Sequence, residues 1–349
     1  MDETAIKGRG ASGNPRGRFE KLERSREDDD HVESHPQTMI TLKQVRSIIS
    51  RNESPDLPFK QSINPYQGCE HGCIYCYARP SHAYLGLSPG LDFETRIFAK
   101  ENAADLLREE LSRPGYRCEL ISLGANTDPY QPIERKQRIT RGILEVLWEF
   151  RHPVGIVSKG SLIERDLDLL EPMAAEGLVQ VFISIGTLDG DIARTLEPRA
   201  AAPYRRVETL RRLAARGVPC GVLVAPIIPF LNDKDMEAVL EAAAGAGARM
   251  AGFTVLRLPW EVKDLFKNWL EQHYPLRAAH IMARIRDMRG GRENDPEFGS
   301  RMKGEGQYAE ELRSRFEVAC RRVGLNADRR YHVDTRKFRP PPTAQGSLF

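Results

Sequence analysis

Short runs rich in β-branched residues alternate with amphipathic stretches from about Lys60 to Pro259. The runs are Leu120–Leu123, Val154–Val157, Val179–Ile185, Cys220–Ala225 and Phe253–Leu256. Between them, Arg138–Phe150 sets Ile139, Ile143, Leu147 and Phe150 at helical spacing, and Lys234–Ala244 does the same with Met236, Val239, Leu240 and Ala243. A repeat of roughly 30 residues predicts βα units that feed a parallel sheet through right-handed crossovers. Counting the strand before Cys69, six units are visible, too few for a closed eight-strand barrel and suited to an open one. The fold class expected is therefore α/β, a partial (β/α)6 barrel. The rival, a Rossmann-type sheet, lacks a G-x-G-x-x-G after its first strand. Beyond Pro259 the pattern turns helical over Val262–Gln272, Leu276–Met288 and Tyr308–Val323. In the last of these Tyr308, Leu312, Phe316 and Val323 share a face.

The flanks read differently. Residues 1–55 are rich in Gly, Arg, Glu and Asp, with an acidic run at Asp28, Asp29 and Asp30, and only Met39–Ile49 clusters apolar residues. That composition predicts a mostly disordered segment. The chain then divides into the barrel at 56–258, a helical C-terminal extension at 259–330, and an extended, basic tail at 331–349.

With 40% apolar and 29% charged residues in 349, the composition is that of a soluble globular protein. No apolar run approaches about 18 residues, so no membrane-spanning helix is expected, and the N-terminus lacks a signal-peptide core. The expected compartment is the reducing cytoplasm, where six cysteines are metal ligands, catalysts or buried thiols rather than disulfides. A net charge of +3 does not by itself imply nucleic acid. From Arg277 onward, however, 16 Lys and Arg face 10 Asp and Glu.

Chemistry concentrates in NPYQGCEHGCIYCYARP, where Cys69-x3-Cys73-x2-Cys76 puts three thiols in one short loop. Three thiolates this close wrap one small, soft metal centre. On a four-iron cubane they leave one iron open; with His71 as a fourth ligand they also make a zinc set. The spacing resembles the radical S-adenosylmethionine (SAM) superfamily, whose C-x3-C-x2-C signature carries an aromatic residue before the third cysteine, here Tyr75. The resemblance implies a [4Fe–4S] cluster on Cys69, Cys73 and Cys76, SAM chelated to the open iron, and an electron donor as partner. The electron cleaves SAM and starts hydrogen abstraction from the substrate. It also implies that the barrel is a radical SAM barrel.

Residues at the C-terminal ends of strands would then surround SAM. These are Tyr77, next to the third cysteine; Asn126, Thr127 and Asp128 in LGANTDPYQPIE; Lys159 in SKGS; Ser184 in ISIGT; and Arg199 in LEPRAAAP, a fork for a carboxylate. Asn232 would reach the ribose edge, and Asp233 would cap the next helix. The Gly-Gly-Glu run common in the superfamily is absent from GANTDP. No catalytic residue is assigned. Together NPYQGCEHGCIYCYAR, NTDPYQP, SKGS and the EPR loop resemble, over Phe59–Val323, the branch related to spore photoproduct lyase, including DNA repair photolyase-like proteins. The lyase quenches its product radical with a cysteine beside the second strand; GANTDP has none, and Cys118 lies at the opposite end of that strand. Cys118, Cys220 and Cys320 read as inert thiols.

The branch implies a nucleic-acid partner, with DNA repair or modification as the process. Arg292, Arg301, Lys303, Arg329, Arg330, Arg336, Lys337 and Arg339 are then candidate phosphate contacts. The last residues, Gln345-Gly346-Ser347-Leu348-Phe349, resemble the peptides by which bacterial repair proteins bind the sliding clamp, with Gln345, Ser347, Leu348 and Phe349 as contacts. Two alternatives remain: radical chemistry on a peptide or small molecule, and a non-enzymatic metal module tethered to the clamp.

Overall fold

The computed structural model describes residues 5–19, 36–327 and 333–341. Among these the strands are β1 (Met39–Lys43), β2 (Ser50–Arg51), β3 (Gln61–Ile63), β4 (Tyr66–Gln67), β5 (Arg96–Lys100), β6 (Ile121–Leu123), β7 (Val154–Ser158), β8 (Val179–Ser184), β9 (Cys220–Ile227) and β10 (Met250–Val255). The helices are α1 (Leu91–Thr95), α2 (Ala103–Leu111), α3 (Glu134–Gln137), α4 (Ile139–Glu149), α5 (Leu167–Ala175), α6 (Gly190–Leu196), α7 (Pro203–Ala215), α8 (Met236–Gly245), α9 (Val262–His273), α10 (Pro275–Asp287) and α11 (Gln307–Val323).

One sheet runs β10-β9-β8-β7-β6-β3-β2. Its members from β3 to β10 are mutually parallel, with registers such as Ile121↔Val154, Val154↔Val179 and Val181↔Cys220. Six parallel strands in an open sheet make the partial (β/α)6 barrel expected from the repeat. Each crossover buries the face that periodicity picks out: Ile139, Ile143 and Leu147 on α4, and Met236, Val239, Leu240 and Ala243 on α8. Strands covered on both sides explain the nearly continuous apolar runs.

An open sheet has two edges, and the one along β10 is covered. Along β10, α11 places Phe316 against Phe253, with ring centroids 4.8 Å apart. Arg315 of α11 binds both carboxylate oxygens of Glu237 on α8 at 2.8 Å. Asn326 pairs its side-chain amide with both backbone groups of Ala251, and the Val255 N–H donates to the Met302 carbonyl. These contacts occupy groups that would otherwise template another strand. Across the seam between the two edges, Arg301 holds Asp56 through two hydrogen bonds of 2.6 Å.

Where a mostly disordered segment is expected, residues 5–19 and 36–55 are packed. The Gly10 and Ala11 N–H groups donate to Glu94, Arg9 reaches the Glu94 carbonyl, and Asn14 exchanges two hydrogen bonds with Asp92. β1 joins β5 in parallel, in a second sheet ordered β1-β5-β4. The segment is held by backbone donors meeting buried carboxylates, an order that apolar content does not report.

The tail is also tied down as far as Arg339. Phe338 meets Tyr116 and His152 at 5.3 and 5.4 Å, and the Arg339 N–H donates to the Phe150 carbonyl, at the N-terminal ends of the strands. Arg336 pairs with Asp334 and Lys337 with the Glu176 carbonyl, so these two expected phosphate contacts have local partners. Arg329, Arg330 and the Gln345–Phe349 peptide lie outside the described residues. No helix among the described residues is long and apolar enough to cross a membrane.

His152 supplies a pH-dependent part of this stability. Its Nδ1 faces the Pro153 carbonyl at 3.0 Å, so it carries the proton, and Nε2 lies 2.8 Å from the Tyr116 hydroxyl. Burial pushes the imidazole down to about 4. Below about pH 6.5 the unfolded chain takes a proton that the folded one refuses, so stability drops on acidification from pH 7 to 4 by about 3 kcal/mol. Urea unfolding across that range should show the slope, and His152→Gln should flatten it. An unchanged slope in the variant would refute the assignment.

Candidate active site

Between β4 and α1 the chain spools into the cysteine loop. Gly68 and Gly72 have φ of +85° and +67°, which disfavour any side chain, and a Cβ on Gly72 would come within 2.7 Å of Glu94 Oε2. The loop is pinned from behind by Arg79, which is completely buried. Its guanidinium donates to the carbonyls of Cys73, Pro89, Gly90 and Gly72 and to Glu94. The Cys69 N–H donates to the Phe93 carbonyl and the Ile74 N–H to Leu196. The thiols are thereby fixed by groups that take no part in metal chemistry.

All three cysteines line one cavity of about 640 Å³ at the C-terminal ends of the strands. Cys69 and Cys73 are buried and Cys76 is partly open. Burial, reinforced by the Asp128 charge, pushes the Cys69 thiol well up, and burial pushes Cys73 up to about 12. Such thiols stay protonated unless a cation pays for the thiolate. That is the condition a metal centre satisfies.

Of the residues expected around SAM, Tyr75, Tyr77, Asn126, Asp128, Lys159 and Ser184 line this cavity. Tyr75 donates to Glu197, which Arg206 also holds; Arg206 further reaches the Ser184 carbonyl at 2.9 Å. Tyr77 is half exposed and donates to the Ala125 carbonyl. Burial opposes the charge of Lys159, but Cys73 and Glu197 beside it keep its pKa above that of an ordinary lysine.

Asp128 is saturated. It accepts from the Ser158 hydroxyl and the Lys159 N–H at 2.7 Å and the Tyr130 N–H at 2.9 Å, and His71 Nδ1 stands 3.3 Å away. Burial would raise its pKa, but His71 and these donors hold it well below the usual carboxylate range. It joins the cysteine loop to the end of β7.

Two expected residues are elsewhere. Thr127 turns inward, its hydroxyl donating to the Tyr66 carbonyl, because the NTDP turn is anchored on Asn64 and points only Asn126 and Asp128 at the cavity. Arg199 lies on the far side of the cysteine loop, drawn to the buried Glu70 at 3.0 Å. Nor does Asp233 cap α8; its carboxylate accepts from Tyr308, while Asn232 ties the turn after β9 through Gly186 and Pro226. Arg301, an expected phosphate contact, is committed to Asp56, and Arg292 stands 3.9 Å from Asp295.

Sequence reasoning misses the supports altogether: Arg79, Glu94, Glu197, Arg206 and the cavity-facing Arg257. Arg79, three residues after Cys76, is the one with a readable signal. A charged residue so close to a ligand loop has to find partners within it.

Among the described residues no three His, Cys, Asp or Glu side chains converge as the ligands of a single metal ion. His71, the fourth ligand of the zinc alternative, faces Asp128. Thiols spaced around one wall fit a cubane, where each binds a different iron. A family model described as the radical SAM superfamily matches residues 63–243.

The chain belongs to the radical SAM superfamily.

Curated relatives of this radical SAM protein include an uncharacterised protein of Mycobacterium tuberculosis, 37% identical over 256 residues that cover 71% of this chain and 74% of that one. Another, from Methanocaldococcus jannaschii, is 28% identical over 62% of this chain and 77% of the relative. Among solved structures, spore photoproduct lyase complexed with dinucleoside spore photoproduct superposes with a TM-score of 0.55 at 16% identity, covering 82% of this chain and 80% of the lyase. A variant of that lyase with AdoMet and the dinucleoside bound gives 0.53 at 15% identity over the same shares. These likenesses carry the fold. Membership of the superfamily makes the chain an enzyme of radical chemistry, and the family implies a [4Fe–4S] cluster and SAM.

Proposed function

We propose that Cys69, Cys73 and Cys76 hold a [4Fe–4S] cluster in this cavity and that the substrate is a nucleic-acid base. The observation that carries the reading is the opening of three buried or half-buried thiols onto one chamber at the mouth of the barrel. The cluster, when bound, supplies the open iron and the electron for reductive cleavage of SAM.

The chain's own residues then have separate tasks. Asn126 and Ser184 offer hydrogen bonds to SAM's polar edges, and Lys159 offers a cation for its carboxylate. Tyr75, locked by Glu197, and Tyr77, locked by the Ala125 carbonyl, wall the chamber with rings. Asp128 keeps His71 and the β7 end in register. The fold shared with a lyase solved with a dinucleoside lesion supports a base as the target. The chamber contains no fourth cysteine among the described residues, so hydrogen return to a product would not use a thiol there.

Anaerobic reconstitution with iron and sulfide, followed by reduction with SAM, should give about four irons per chain and 5′-deoxyadenosine. DNA binding should weaken linearly with log salt. Flat salt dependence would count against the nucleic-acid target and leave the radical chemistry standing. One observation favours a small-molecule substrate instead: the Asp56–Arg301 pair bridges the two sheet edges beside the chamber. Under that reading DNA never stimulates SAM cleavage.

A further inference from the structure

Of the three cations lining the chamber, Arg301 is paired with Asp56, and the other two have different surroundings. Lys159 stands beside Cys73 and Glu197, on the cluster side. Arg257 follows β10 on another wall, with its guanidinium 5.6 Å from the Tyr77 ring and Nη1 3.7 Å from the Met302 sulfur. SAM brings one carboxylate. With Arg301 already paired, a further cation beyond Lys159 is left to face something else.

Arg257 is also unpaired in a way its neighbours are not. Its Nε is buried with no hydrogen-bond partner. Among the described residues no carboxylate lies within ion-pair distance of it, and the neighbouring cation Arg301 is already held by both oxygens of Asp56. Arg289, also nearby, is spent on the carbonyls of Ser300, Arg301 and Leu256. A half-buried guanidinium whose acceptor is a weak thioether sulfur, and whose Nε has none, costs stability that folding alone does not return. The fork geometry of guanidinium matches paired anionic oxygens. Around it, Leu57, Phe59 and Leu256 give an apolar surface for the body of a ligand.

We infer that Arg257 anchors an anionic group of the substrate, a phosphate ester if the target is nucleic acid, on a different wall from SAM's carboxylate. The inference rests on the chamber being shared by SAM and substrate. It places the substrate between Tyr77 and the Arg301–Met302 segment and leaves Lys159 for SAM.

The test uses the full chain, reconstituted anaerobically with SAM present. The probes are the dinucleotide d(TpT), its uncharged methylphosphonate analogue, and ribose 5-phosphate. Arg257→Gln should weaken d(TpT) binding about tenfold to a hundredfold, the range of a charge-assisted hydrogen bond. The methylphosphonate should bind the native chain about as weakly as d(TpT) binds the variant. SAM affinity should stay within about twofold, because Lys159 is untouched. Arg257→Lys, which keeps the charge, should recover part of the loss, and an unchanged melting temperature in both variants separates binding from folding.

Equal d(TpT) binding by the native chain and Arg257→Gln overturns the inference while the nucleic-acid reading stands. Arg257-dependent binding of ribose 5-phosphate alone upholds the inference and removes the nucleic-acid reading. A parallel loss of SAM affinity overturns it by moving Arg257 to SAM's carboxylate. Absence of binding by all three probes also overturns it.

Discussion

Replacing any one of Cys69, Cys73 and Cys76 by alanine should reduce 5′-deoxyadenosine formation to background and empty the iron from the purified chain. The expectation follows from the number of ligands. Three thiols face the chamber, and no fourth cysteine lines it among the described residues to substitute for a lost one. Alanine removes the donor and leaves two thiols whose burial disfavours the thiolate, so the remaining pair binds metal more weakly than two-thirds of the original set. Cys76 gives the cleanest version, since it is only half-buried and truncating it opens the smallest void. Iron content, the visible absorption of the cluster and SAM cleavage should fall together while far-ultraviolet circular dichroism is unchanged. A Cys76→Ala protein that retained four irons and cleaved SAM would mean that the loop does not hold the cluster.

The second large effect is expected away from the metal. Arg79→Met deprives four loop carbonyls of their donor and strands the buried Glu94 carboxylate, leaving it the Gly10 and Ala11 N–H groups but no cation in hydrogen-bond contact among the described residues. Removing one partner of a buried ion pair typically costs about 3–5 kcal/mol, far more than the pair itself contributes. For a chain of this size that corresponds to a melting temperature lower by about 5 °C. Iron loading should fall with it, since Gly72 and Cys73 lose the group that sets their carbonyls. Adding Glu94→Gln to Arg79→Met should restore part of the stability, because the stranded charge is gone, and the cycle measures the coupling. Strict additivity, or an Arg79→Met chain as stable and as iron-rich as the native one, would contradict this role.

What could be read beforehand follows the physics of each feature. The strands and the outer helices were legible because burial imposes a period, and Ile139, Ile143 and Leu147 lie where that period puts them. The cysteine loop was legible because soft-metal ligands are few and their spacing is local. Residues 9–14 were not: their order comes from backbone N–H groups and Asn14 meeting Glu94 and Asp92 some eighty positions away, and composition counts only side-chain polarity. Arg199 was misplaced for a related reason. Its guanidinium chose between a cavity and a buried carboxylate, Glu70, 129 positions earlier, and a charge that has lost its water attracts the strongest partner within reach. Asp128 shows a third case. The position next to the cysteine loop is readable, but three donors and the His71 ring converging on one carboxylate is a property of the folded turn alone.

Phe338 and Arg339 fix the chain's last described stretch to the floor of the barrel, while the cysteines open at its rim. The height of the strands, five residues in β7 or about 17 Å, therefore separates this anchored stretch from the cysteine rim, so that a substitution at Phe338 acts on the barrel's floor and not on the chamber.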